Sequence, residues 1–125
     1  MLDHLSIGVR DLAAARSFYD ALFAPLGASV ASAKEKELAY GPGGRSGHFF
    51  LYAVAGAQIA GLGAHAAFRA PSRMAVDQAY AAALAQGAST VRAAGPHPDI
   101  DADYYGAILL DPDGNKIEII AGTMH

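Results

Sequence analysis

There is no cysteine in this 125-residue chain, which removes a disulfide framework, a thiolate zinc site and a cysteine nucleophile together. Basic residues are scarce as well. Nine Lys and Arg stand against twelve Asp and Glu, for a net charge of -3 at pH 7. Without a Lys/Arg cluster the chain lacks the cationic surface that nucleic acid requires. No apolar run approaches the ~20 residues of a membrane span, and the opening "MLDHLSIGVRD" has no basic stretch ahead of an apolar one. These absences predict a soluble, cytoplasmic protein with no nucleic-acid and no membrane partner. What is present is apolar side chain: 53% of residues are hydrophobic, as in globular rather than disordered chains. The length suits a single domain spanning 1–125.

Within that length the chain repeats itself. "HLSIGVRDLAAARSFYDALFAPLGASV" (4–30) lies over "HAAFRAPSRMAVDQAYAAALAQGASTV" (65–91). His4 falls on His65, Asp11 on Ser72 and Tyr19 on Tyr80 with one offset, and the two Gly-Ala-Ser runs follow one residue out of step. Each half reads as a short strand, a capping Asp or Ser, and an amphipathic helix of about four turns closed near Gly27 or Gly87. Three extended segments follow each helix, near 28–33, 36–41 and 47–54, then near 89–94, 104–110 and 115–121. The prediction is an α+β fold of two βαβββ modules, the first about 1–56 and the second about 62–125, joined by a linker at 55–64. The loop "AAGPHPDIDAD" is long enough for a compact domain to suggest function.

Side chains alternate along a strand, so parity assigns faces. His4 lies opposite Leu5, Ile7 and Val9, which face the helix. His65 and Arg69 share the non-helical side of the fifth strand, and Glu118 lies opposite Ile117 and Ile119. Two imidazoles and one carboxylate on such faces suit a divalent metal with open positions, provided the two sheets curl toward each other. Each residue taken alone reads more simply as a surface or hydrogen-bonded side chain, with Lys116 a possible partner for Glu118. The recurrence of His at the same point of both repeats is what favours a site.

These segments are similar to the vicinal oxygen chelate superfamily, also called the glyoxalase/bleomycin-resistance/extradiol-dioxygenase superfamily. The likeness rests on "DHLSIGVRDLAAARSFYDALFAPLG", "HAAFRAPSRMAVDQAYAAALAQGA" and "YYGAILLDPDGNKIEII", in that order. It implies a U-shaped, cup-like mixed sheet around a divalent metal (Zn, Ni, Mn or Fe), a homodimer in which modules of two chains can share a site, and a small-molecule substrate. It places the metal ligands at His4, His65 and Glu118. A fourth ligand position, a Glu in glyoxalase I proteins, falls here on Phe50, or on Leu51 if the register slips by one. His48 shares the parity of Phe50 but matches no ligand position. Glu118 is therefore the one strand carboxylate left to move protons.

Further candidates surround that set. Tyr104 and Tyr105 open the seventh strand, and alternation turns one of them to the cup, where a phenol would serve an oxyanion or orient substrate. Phe50 and Tyr52 supply apolar lining. Arg69 suits an anionic substrate group or a loop aspartate, and His97 an acid/base role or a solvated loop position. The expected function is a glyoxalase-like, lactoylglutathione lyase-related, metal-dependent lyase or isomerase of a small carbonyl or thiol adduct. Two alternatives are a metal-independent binding protein of the bleomycin-resistance type and an Fe(II) extradiol-type dioxygenase.

Overall fold

The computed structural model describes residues 4–56 and 64–122, so most of the expected linker lies outside the described residues. The first module runs β1 (Leu5–Val9), α1 (Leu12–Phe23), a 3-10 turn (Ala24–Leu26), β2 (Ala28–Lys34), β3 (Glu37–Pro42) and β4 (Phe49–Ala53). The second runs β5 (Ala66–Arg69), α2 (Arg73–Ala85), β6 (Ser89–Pro96), β7 (Tyr105–Leu110) and β8 (Lys116–Ala121). Each module closes its own mixed sheet, in the orders β1-β4-β3-β2 and β5-β8-β7-β6. The first strand of each sheet pairs parallel with the last, and the remaining pairs are antiparallel. This is the βαβββ duplication that the repeat predicts.

Local chemistry sets the helix limits. The side chain of Asp11 accepts from the amide of Ala14 at 3.1 Å, and Ser72 Oγ accepts from Ala75 at 3.1 Å. Each satisfies one of the donors left free in a first turn. Pro25 cannot continue α1, so the chain tightens into the 3-10 turn and leaves through Gly27 at φ 76°. α2 has no such proline and stays regular to Ala85.

The helices lie between the modules. α1 rests on β2, β3 and β4, α2 on β6, β7 and β8, and the two helices pack on each other. α1 buries a ridge of Phe18, Tyr19, Leu22 and Phe23, whereas α2 buries Ala75, Val76, Ala79 and Ala83. Small side chains on one helix give the large ones on the other room to interdigitate at interior density. Phe68 of β5 closes the junction, with its ring 4.9 Å from both Phe23 and Phe49. Each such side chain is worth roughly 1.5–3 kcal/mol when fully removed from water. The far face of each sheet therefore turns away from this shared helix layer.

A polar joint completes the module contact. Asp111, 4% exposed, accepts at Oδ1 from the amides of Asp113 (2.9 Å) and Asn115 (2.8 Å). At Oδ2 it accepts from Tyr19 Oη (2.7 Å) and Asn115 Nδ2 (3.0 Å). Asn115 Nδ2 also donates to the carbonyl of Gly8 at 2.9 Å, and the amide of Arg10 donates to Asp113 Oδ1 at 3.0 Å. The turn between β7 and β8 is thus held by β1 and α1 of the other module.

Two predictions follow from these burials. Tyr19→Phe removes a hydrogen bond to a buried carboxylate, so urea unfolding should show a loss of about 1.5–3 kcal/mol. A loss within the ordinary scatter of surface substitutions would mean that the joint does not couple the modules. Burial first, then the charge and hydrogen bond of Asp111, push the Tyr19 phenol up, and burial followed by Asp20 does the same for Tyr40. Above the ordinary tyrosine value of about 10, the unfolded chain releases phenol protons that the folded chain keeps. Stability therefore falls as pH rises through that region. Urea midpoints on either side of it, with Tyr40→Phe as a control showing a shallower fall, check the sign.

Candidate active site on the bare sheet faces

The turn "DPDGN" sets which way β8 faces. Gly114 takes φ 89° to complete it, a conformation that costs little without a Cβ. The amide of Asp111 then donates to the carbonyl of Asn115 at 2.8 Å. From that start Ile117 and Ile119 point to the helix side and are fully buried, and Glu118 points to the bare side. Directly paired residues share a face, so the register draws Ala67, Glu118, Ile108 and Arg92 into one row across the second sheet.

Glu118 is 9% exposed and meets two partners. Tyr104 Oη donates to its Oε1 at 3.0 Å, and His65 Nε2 lies 3.6 Å from its Oε2. Metal–nitrogen and metal–oxygen bonds of about 2.0–2.2 Å allow one ion to bind both atoms at that separation, so this pair fits a divalent cation. Burial first, then the hydrogen bond and charge of Glu118, raise the Tyr104 phenol above its ordinary value. It acts as a donor at neutral pH.

His4 lies on the other sheet. Its ring meets Phe50 edge-on at 5.2 Å, and Phe50 stacks with Tyr52 at 6.3 Å with an interplanar angle of 15°. The bare face of the first module thus carries one imidazole beside an aromatic wall. Phe50 pairs with Ser6 in the parallel register, while Leu51 is fully buried on the helix side. Phe50 is accordingly the residue on the bare face. Among the described residues no three His, Asp or Glu side chains gather as a metal site. Within one chain His65 and Glu118 meet but do not gather with His4 as a three-residue site, while the two helices pack on each other.

Against this geometry, a family profile described as Glyoxalase/Bleomycin resistance protein/Dioxygenase superfamily matches residues 1–119. The chain belongs to that superfamily. A glyoxalase/bleomycin resistance protein from Albidiferax ferrireducens T118 is 32% identical, with 97% of this chain and 98% of that chain covered and a TM-score of 0.81. The same fold recurs in a glyoxalase/bleomycin resistance protein/dioxygenase family enzyme from Burkholderia phytofirmans PsJN. There the identity is 22%, the coverage 96% and 97%, and the TM-score 0.72. It recurs again in a fosfomycin resistance protein from Listeria monocytogenes, at 22% identity, 99% and 94% coverage, and TM-score 0.71. No curated protein matches.

The remaining candidates of this superfamily member divide between the two sides of the sheets. Of the adjacent tyrosines, Tyr104 reaches Glu118, whereas Tyr105 lies on the helix side, donating to Asp77 at 2.8 Å beneath the Arg73 guanidinium. Alternation at the entry of β7 separates them. Arg69 gives Nη1 to the carbonyl of Gly122 at 3.0 Å. His97 rests its ring 5.6 Å from Tyr104 while Nε2 meets the carbonyl of Ala93 at 2.8 Å. His48 lines a cleft of about 310 Å³ with Leu5, Phe23, Phe49, Phe68 and Arg69, at the junction of the modules. That cleft contains none of His4, His65 and Glu118, so its shape and the candidate chemistry belong to different places.

Arg92 is the residue that sequence parity missed. Thr90 pairs with Leu109 on the helix side, where its hydroxyl meets Tyr80 Oη at 2.7 Å. Simple alternation would put Arg92 there too. A register shift between Thr90 and Arg92 turns the guanidinium to the bare face, opposite Ile108, as bulges do. The same shift recurs between Val30 and Ser32 in the first module. Arg92 lies 2.8 Å from Asp99 of the following loop and holds that carboxyl below its usual range.

Proposed function

We propose that this superfamily member is a metal-dependent lyase or isomerase of the glyoxalase type, acting on a small carbonyl or thiol-adduct substrate. The working unit in this reading is a homodimer. Module 2 of one copy brings His65 and Glu118 against the bare face of module 1 of the other copy, which brings His4. The observation that carries the reading is the 3.6 Å pairing of His65 with Glu118 on the non-helical face of the second sheet. The bound ion, Zn²⁺, Ni²⁺, Mn²⁺ or Fe²⁺, would supply Lewis-acid polarisation of a substrate oxygen. Phe50 and Tyr52 would exclude water from the apolar side of the substrate, and Arg92 would attract an anionic substituent from the sheet floor.

Phe50 also supports a second reading. It occupies the position of a second carboxylate and stacks with Tyr52, which suits flat apolar ligands held without a metal. Ligand-induced thermal stabilisation that persists in chelator would favour that reading over the first.

Metal analysis of the purified protein is the first test. Wild-type protein should hold close to one ion per site, and His65→Ala or Glu118→Ala should reduce occupancy at least about tenfold, in line with the cost of disturbing a metal shell. Protein that stays metal-free on reconstitution excludes the first reading. Sharing of the site is tested by mixing His4→Ala chains with Glu118→Ala chains. If each site draws on both copies, a heterodimer has one doubly defective site and one intact site, so metal binding returns at one site per heterodimer. If each site lies within one chain, every site carries a defect and nothing returns.

A further inference from the structure

The Glu118 carboxylate has two oxygens, and the fold treats them differently. Oε2 faces His65 at 3.6 Å, and Oε1 accepts from Tyr104 at 3.0 Å. The tyrosine is held where it is. Tyr104 is 2% exposed, and its phenol lies over Gly106, where a Cβ would come within 2.7 Å of Oη and 2.8 Å of Cζ. Gly106 has no left-handed backbone to explain it, so space for the ring and for the nearby carbonyl of Ile119 is the reason a glycine fits there. The ring of His97, tethered to the carbonyl of Ala93, packs 5.6 Å from Tyr104.

We infer that Tyr104 is a positioning residue: its hydroxyl occupies Oε1 so that Glu118 presents Oε2 alone, as a one-oxygen ligand beside His65. The inference rests on the metal reading proposed above and adds how the carboxylate is presented. Left without the hydroxyl, a carboxylate on three rotatable bonds can swing from His65 or close both oxygens on one ion. Hydrogen bonds from outside the ligand set fix ligand orientation in this way, and their loss costs metal affinity.

Tyr104→Phe keeps the ring over Gly106 and deletes one oxygen. The test compares wild type and Tyr104→Phe in the full-length protein, after thermal unfolding establishes that both fold. Co²⁺ affinity, measured by competition with a chromophoric chelator, should fall about 10–100-fold, and the visible spectrum of bound Co²⁺ should change as a second oxygen joins the ion. A merely structural role would leave that spectrum unchanged. Equal affinity with an unchanged spectrum overturns the inference. Crystal structures of the two metal-free proteins supply an arm that needs no metal. Glu118 should lose its single orientation toward His65 in the variant, and retention of the wild-type orientation overturns the inference. Wild-type protein that takes up no Co²⁺ overturns the proposed function, and the metal-free crystals then decide the role of Tyr104 by themselves.

Discussion

The carboxylate of Asp111 is the constraint on which the rest of this structure depends. It accepts from two backbone amides of its own turn, from Asn115 Nδ2 and from Tyr19 Oη. The first two bonds start β8 in one register, and a strand slipped by one residue would exchange Glu118 for Ile117 and Ile119 on the helix side. The bond to Tyr19 ties the same turn to α1 of the other module. A buried carboxylate is costly to strip of donors, so register and module docking stand or fall together.

Docking through the helices decides what the sheets can do. α1 and α2 bury their apolar faces against each other and against their own sheets, so the core is complete within one chain. The bare faces are left carrying His4, Phe50 and Tyr52 on one side and His65, Tyr104, Glu118 and Arg92 on the other. An arrangement with the helices outside and the sheets facing inward would gather the two histidines within one chain. Here the helices pack on each other and no three-residue set forms among the described residues, which is why the proposed site draws on a second copy.

Much of this was legible in the sequence because it depends on local rules. Caps at Asp11 and Ser72, glycines at 27 and 87, and the turn at 111–114 each act over a few residues, and strand parity placed His65 and Glu118 on one face. What was not legible depends on partners distant in the chain. Parity alone does not show that Tyr104 takes the bare face and Tyr105 the helix face, since the first paired residue of β7 is fixed by β8. Nor does it reveal a bulge, so Arg92 reads as a helix-side residue until the pairing with Ile108 is seen. The matched histidines suggested convergence, but a repeat says nothing about whether two modules meet through their helices or their sheets.

The one departure that the family resemblance implied, Phe50 at the position of a second carboxylate, gains weight from the environment of Glu118. In a two-carboxylate site one group can take a proton from a carbon while the other returns it to the neighbouring carbon. On the proposed reading the metal-ligand set has one carboxylate, with Oε1 engaged by Tyr104 and Oε2 facing His65. Neither oxygen is then free to act as a base without giving up a hydrogen bond or a ligand bond. Arg92 and the Phe50–Tyr52 wall bind and orient without moving protons. On that reading a proton moved between adjacent carbons would need a base other than Glu118.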